Sequence, residues 1–207
     1  MNHSLISRPA AAFAAFCSLT LSLNAASYKV DHHLRSTPEN INGFWAADAK
    51  PALKIKNGEV VVIDCLNMVG VPKEGVEKFF TDNGIPLDNE AVQDILAVKK
   101  TLGDAPGITS GVLTGPIYVE GAMPGDMIEV RILDIKSRTP YGINQGRPGG
   151  GGIPDLVPRP YAKIIKLDLT RNVGLFSKTI EIPLKPFQGK VGVAPILERG
   201  KLPSGPP

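Results

Sequence analysis

The 207-residue chain carries 23 basic and 20 acidic residues for a formal charge of +3, with aromatics at 6%, 22 glycines and 19 prolines. That length suits one domain with a sizeable core, and so small a charge without a basic cluster excludes the electrostatic footprint of a nucleic-acid binder. Frequent Gly and Pro with few aromatics favour many short strands over long helices, so the expected fold class is mainly β, a β-sandwich with one modest helix.

The chain opens with MNHSLISRPAAAFAAFCSLTLSLNAAS, in which Arg8 precedes an apolar run from Ala10 to Leu23 and small residues follow at Ala25, Ala26 and Ser27. This is the pattern of a secretory signal peptide. The run is interrupted by Ser18, Thr20 and Ser22 and falls short of the roughly 20 apolar residues a spanning helix needs. The expected division is a signal peptide over residues 1–26 and a β domain over 27–207, giving a secreted or periplasmic product with no membrane attachment after processing. Removal of Cys17 would leave Cys65 as the sole cysteine, so no intramolecular disulfide is expected.

Residues 27–51, with Pro38, Pro51 and the single tryptophan Trp45, read as an extended arm. Val60 to Ile63 form a β-branched run behind the turn residues Asn57-Gly58 and predict a strand. In the apolar run VVVIDCLNM, Cys65 reads as a small buried hydrophobe. Asn89 to Leu102 place Val92, Ile95, Leu96, Val98 and Leu102 on one helical face, closed by Gly103. Ile117 to Glu120 and Met127 to Ile135 flank the turn Pro124-Gly125-Asp126 and predict a hairpin with one wet face.

The stretch TPYGINQGRPGGGGIPDLVPRP, Thr139 to Pro160, reads as a long loop, functional or slack. Its glycines Gly149 to Gly152 are not followed by Lys-Ser or Lys-Thr, which rules out a phosphate-cradling motif. Further strands are expected at Ala162 to Leu167, Val173 to Phe176 and Thr179 to Ile182. Beyond them, Pro183, Pro186, Pro195, Pro203, Pro206 and Pro207 predict a tail too broken for regular structure, so the fold is expected to be incomplete at its C-terminus.

The block TGPIYVEGAMPGDMIEVRILDIKSRTPYGIN, Thr114 to Asn144, resembles a hallmark of the acetamidase/formamidase family. In matching order around it stand HHLRSTPENI, the strand with Asp64 and Cys65, RPGGGGIPDLVP, and FSKTIEIPLKPFQGKVGVAP. The resemblance implies a mainly β fold and hydrolysis of short linear amides to ammonia and a carboxylate. It also implies a divalent metal, zinc or calcium, in some members, a homo-oligomer, and a further C-terminal segment bearing acidic and histidine residues. The chain departs from it at Asn42-Gly43, where histidine-tryptophan is common, and at Gly111, where histidine is frequent.

Amide hydrolysis needs an activated water, a group that polarises the carbonyl and an acid for the leaving amine, and one divalent ion can serve the first two. The polar residues near apolar strands are His32, His33, Asp64, Glu120 and Asn144. Adjacent histidines on extended chain point to opposite sides, and His33 is preferred because it begins HLRSTPEN. Asp64 interrupts an apolar run and requires a partner, either a metal or catalytic group or backbone donors at a strand end. Glu120 lies between a strand and Gly121, either as a site carboxylate or facing solvent at a turn, and Asn144 sits in the long loop as a binding or a turn residue. The candidate set is therefore Asp64, Glu120 and Asn144 for catalysis, with His33 and Asp64 as metal ligands. The competing class is a non-catalytic secreted β-sandwich module for binding or structure.

Overall fold

A computed structural model describes residues 28–103, 105–108 and 111–203. The expected signal peptide lies outside the described residues. Among those described, no helix is long and apolar enough to cross a membrane.

The chain lays down β1 (His32–Leu34), β2 (Ile41–Asn42), β3 (Phe44–Ala46), β4 (Leu53–Ile55) and β5 (Val61–Ile63), then α1 (Val76–Asp82) and α2 (Glu90–Leu102). There follow β6 (Leu113–Thr114), β7 (Ile117–Val119), β8 (Tyr141–Gly146), β9 (Tyr161–Asp168), β10 (Val173–Leu175), β11 (Glu181–Pro183) and β12 (Lys201–Pro203). The mainly β reading is borne out. The strands form one four-stranded sheet, in the order β11-β10-β9-β8, and four two-stranded ladders: β1-β5, β2-β6, β3-β12 and β4-β7.

Helix α2 starts where the sequence places it. The Asn89 side chain caps its first turn by accepting from the Val92 N–H at 3.1 Å, which satisfies one of the donors a helix start leaves open. Gly103 ends it at a φ of 55°, backbone that glycine adopts without a Cβ clash. Its buried face carries Ala91, Val92, Ile95 and Val98. Helix α1 is an addition to the one helix expected. It is short, but Val76, Phe79 and Phe80 recur at helical spacing, and Phe80 is wholly buried, with its ring 5.3 Å from Phe79 and 5.5 Å from Tyr141. Burying such a side chain stabilises the fold by about 2–3 kcal/mol. Both helices pack into one core with Ile41, Leu66, Met68, Val71, Ile85 and Ile108.

Four expectations need correction. The arm of residues 27–51 holds three strands, β1 to β3, because later parts of the chain supply their partners. The hairpin does not form: β7 pairs in parallel with β4, Leu53 opposite Ile117, while Met127 to Ile135 lies outside any strand. The long loop begins as a strand, β8, since six residues from Tyr141 to Gly146 pair with β9. The proline-rich tail also regains order, as β12 returns to β3 with Leu202 opposite Trp45; a proline at the end of a two-stranded ladder sacrifices no central hydrogen bond.

One backbone crossing fixes the path of the arm. A Cβ built on Gly43 would lie 2.6 Å from the Pro106 carbonyl oxygen and 2.7 Å from the Gly107 Cα, and one built on Gly107 would lie 2.6 Å from the Gly43 Cα. Only glycine at both positions lets these main chains meet.

Candidate functional site

The site begins with strand register. Parallel pairing sets His33 opposite Val62 and Leu34 opposite Ile63, and the Asp64 N–H donates to the Leu34 carbonyl at 2.9 Å. The two histidines diverge as extended backbone requires. His32 turns to Glu59, with Nε2 2.9 Å from Oε2. His33 turns to Asp64, with Nε2 3.1 Å from Oδ1.

Asp64 is 5% exposed, and the partner that such a carboxylate requires is an Arg as well as the His. Arg138 Nε stands 3.3 Å from the same Oδ1, and Arg138 Nη2 donates to Asp94 Oδ2 at 2.8 Å. Arg35 Nη2 then spans Asp94 Oδ1 at 3.5 Å and Glu90 Oε1 at 2.6 Å. A chain of alternating charge therefore ties the end of β5 to helix α2. Below it, the Asp64 carbonyl accepts from the hydroxyls of Ser36 and Thr114, the latter at 2.8 Å, so main chain and side chain of this residue are both held.

Two atoms in the cluster stay unsatisfied. Asp64 Oδ2 and Arg138 Nη1 are buried without a hydrogen-bond partner among the described residues, and such orphans mark reactive or binding positions often enough to notice. His33 is the member solvent can reach, its side chain 49% exposed. Cys65 is exposed rather than buried, which corrects the reading of it as a core residue: it follows β5 between the buried Asp64 and Leu66, and its side chain falls on the open side of the chain. The protein around it, and then the Asp64 carboxylate, push that thiol above its ordinary value. A thiol so shifted is a poor nucleophile at neutral pH.

Of the sequence candidates, the fold brings together His33 and Asp64. Glu120 is exposed after β7, its N–H donating to the Ile55 carbonyl at 2.8 Å. Asn144 lies on β8 rather than on a loop, exposed, accepting from the Tyr161 hydroxyl at 3.2 Å. Among the described residues neither contacts His33 or Asp64 through a hydrogen bond or ion pair. The residues that sequence reasoning missed are Arg138, Asp94, Arg35, Ser36 and Thr114. A signal existed for Asp94 alone: it falls on the edge of the apolar stripe of Ala91, Ile95 and Val98, where an unpaired carboxylate would be costly.

The donor set does not fit a metal as it stands. Among the described residues no group of three His, Cys, Asp or Glu side chains converges, whereas zinc takes at least three protein ligands. The carboxylate oxygen that His33 shares is already occupied by a guanidinium.

The sequence profile of the Acetamidase/Formamidase family matches residues 28–199, and the chain belongs to that family. A protein of Schizosaccharomyces pombe that carries the name formamidase is 27% identical over 169 residues, covering 77% of this chain and 35% of the relative. The acetamidase of Bacillus halodurans matches with 25% identity and a TM-score of 0.56, over 83% of this chain and 48% of the other. An acetamidase/formamidase of Thermoanaerobacter tengcongensis shares the fold at 22% identity and a TM-score of 0.54, over 85% of this chain and 49% of the other. The chain thus spans 35% of the length of its curated relative and about half that of the solved ones.

Proposed function

We propose that this chain contributes the His33–Asp64 dyad of a hydrolase acting on short linear amides of the formamide and acetamide type, releasing ammonia and a carboxylate. The observation that carries the reading is a half-exposed histidine whose far nitrogen is held 3.1 Å from a buried carboxylate. A base oriented by a third group is the general arrangement for activating a nucleophile. Family membership over residues 28–199 and the names of two relatives supply the substrate class.

In this reading the Asp64 carboxylate, with Oδ1 3.1 Å from His33 Nε2, favours the proton on that nitrogen and leaves Nδ1 as the acceptor. Nδ1 takes a proton from water as the water oxygen bonds to the amide carbon. The same proton passes to the amide nitrogen as the C–N bond breaks, so histidine ends neutral and the products are an acid, ionised at neutral pH, and ammonia. Arg138 and the Ser36–Thr114 pair hold Asp64 still while this occurs. We place the protein outside the cytoplasm, on the strength of the pattern over residues 1–26.

The test is ammonia release from formamide and acetamide by the purified chain, by His33→Ala and by Asp64→Asn. The expected result is measurable turnover that both substitutions lower by about 100-fold or more, the worth of a general base. Turnover undiminished in His33→Ala would reject the dyad, and no turnover by the wild-type chain would favour the non-catalytic module.

A further inference from the structure

Asparagine is followed by glycine at Asn42-Gly43, Asn57-Gly58 and Asn83-Gly84. A glycine leaves its own backbone nitrogen unshielded by a Cβ, so that nitrogen can reach the side-chain carbonyl carbon of the preceding asparagine. The three pairs differ in what holds them. Asn42 is half-buried with Nδ2 donating to the Gly115 carbonyl at 2.7 Å, and Gly43 is buried where its main chain meets Gly107. Asn83 is half-buried with Nδ2 donating to the Phe79 carbonyl at 2.8 Å, and the Gly84 N–H, the nitrogen that would attack, donates to the Thr81 carbonyl at 2.9 Å.

Asn57-Gly58 has none of these restraints. It forms the tip of the turn between β4 and β5, both residues are exposed, and open space surrounds the position a Cβ on Gly58 would take. Among the described residues neither the Asn57 side chain nor the Gly58 N–H enters a hydrogen bond. The turn is closed on either side of the pair instead: the Glu59 N–H donates to the Lys56 carbonyl at 3.3 Å, and Glu59 Oε2 accepts from the Lys56 N–H at 2.8 Å. The tip can therefore deform without breaking a contact.

We propose that Asn57-Gly58 is a site of self-modification, at which Asn57 loses ammonia and becomes aspartate or isoaspartate, with water as the co-reactant. The Gly58 nitrogen, having given its proton to solvent, bonds to the Asn57 Cγ. The Cγ–Nδ2 bond then breaks, and the side-chain nitrogen leaves as ammonia after taking a proton from solvent. The product is a cyclic imide. Water adds to either of its two carbonyl carbons and opens the ring, which restores the ordinary peptide bond beside an aspartate or routes the main chain through the former side chain. Nothing is oxidised or reduced. Both products set a negative charge beside Glu59, whose Oε2 lies 2.9 Å from His32 Nε2. The His32–Glu59 contact is accordingly the one disturbed, while His33 and Asp64 keep theirs at the other end of β5. The reaction does not depend on the hydrolytic reading.

The experiment is peptide mapping by mass spectrometry of the full chain held at mildly alkaline pH, folded and in urea, and sampled over time. In urea the three sites should react at comparable rates, since sequence alone then governs them. In the folded chain Asn57 should stay close to its rate in urea, with Asn42 and Asn83 slower by about tenfold or more, because each must wait for local opening. Ion exchange should separate the modified chain as a more acidic species, in which the His32 ring resonances move and those of His33 do not. Asn57→Gln, whose longer side chain has to close a larger ring, should remove that species. An Asn57 that reacts no faster than Asn42 or Asn83 in the folded chain, an acidic species undiminished in Asn57→Gln, or His32 resonances unmoved by the modification would each overturn the proposal.

Discussion

Residues 34–108 and residues 127–203 draw on the same apolar side chains and put them to opposite use. The first stretch supplies almost every buried hydrophobic residue, from Leu34 through Ile108; the second supplies Tyr141. In the second, Phe187, Val191, Val193, Ile196 and Leu197 are all exposed. Composition does not separate the two. What separates them is that the first stretch contains two helices, which satisfy their own backbone and need only one apolar face covered, while strands need a neighbour for their backbone as well.

The sharpest way to test that contrast is to truncate one phenylalanine in each stretch. Phe80→Ala removes a ring at 0% exposure and should cost about 3–5 kcal/mol in urea unfolding. Phe187→Ala, at 84% exposure, should stay within about 0.5 kcal/mol of wild type. Equal losses would mean the second stretch is packed in solution. Next in size is Asp64→Asn, which removes one of the two ion pairs that join Arg138 to the first stretch and leaves it with Asp94 alone. Breaking a buried pair from one side should cost about 3 kcal/mol, read from the same unfolding midpoint. A loss below about 0.5 kcal/mol would show that the pair is not buried. Asn89→Ala removes the cap of α2 and should cost about 1 kcal/mol, visible as a loss of helical circular dichroism at lower denaturant.

The smallest effect, and one of opposite sign, is expected at Tyr141. Its hydroxyl is buried without a partner, so Tyr141→Phe should be neutral or slightly stabilising. Burial also pushes its ionisation from 10.0 up to about 12. A raised acid binds its proton more tightly when folded, so this residue favours the fold fully below pH 10.0 and loses that contribution as pH climbs toward about 12. The alkaline fall in stability should be shallower in Tyr141→Phe, and an identical fall in both proteins would place the phenol in solvent.

Local pattern was enough for some elements. Helix α2 was legible because its cap, apolar stripe and closing glycine all lie within one stretch, and β5 because Val60 to Ile63 are β-branched behind a turn. Helix α1 escaped because seven residues give barely two turns of periodicity. The parallel ladders β1-β5 and β4-β7 escaped for a different reason, since no short-range signal tells a strand which distant segment it will meet. The site divides the same way. Asp64 stood out as a charge in an apolar run and His33 by its motif, but Arg138 lies 74 positions beyond Asp64, and nothing local to either residue signals that the two will meet. Asn144 was misplaced because glycine and asparagine in YGIN mimic a turn, whereas pairing with β9 overrides that preference.

The crossing of Gly43 and Gly107 binds the history of two distant positions together. A side chain at either one collides with main chain at the other, and main chain cannot rotate aside as the tip of a lysine can. Any lineage that gains a residue with a Cβ at position 43 must first have rerouted the loop at 105–108, and the reverse holds for position 107. The two glycines therefore behave as a single inherited character, and a relative bearing a bulky residue at one should carry a loop of different length or course at the other.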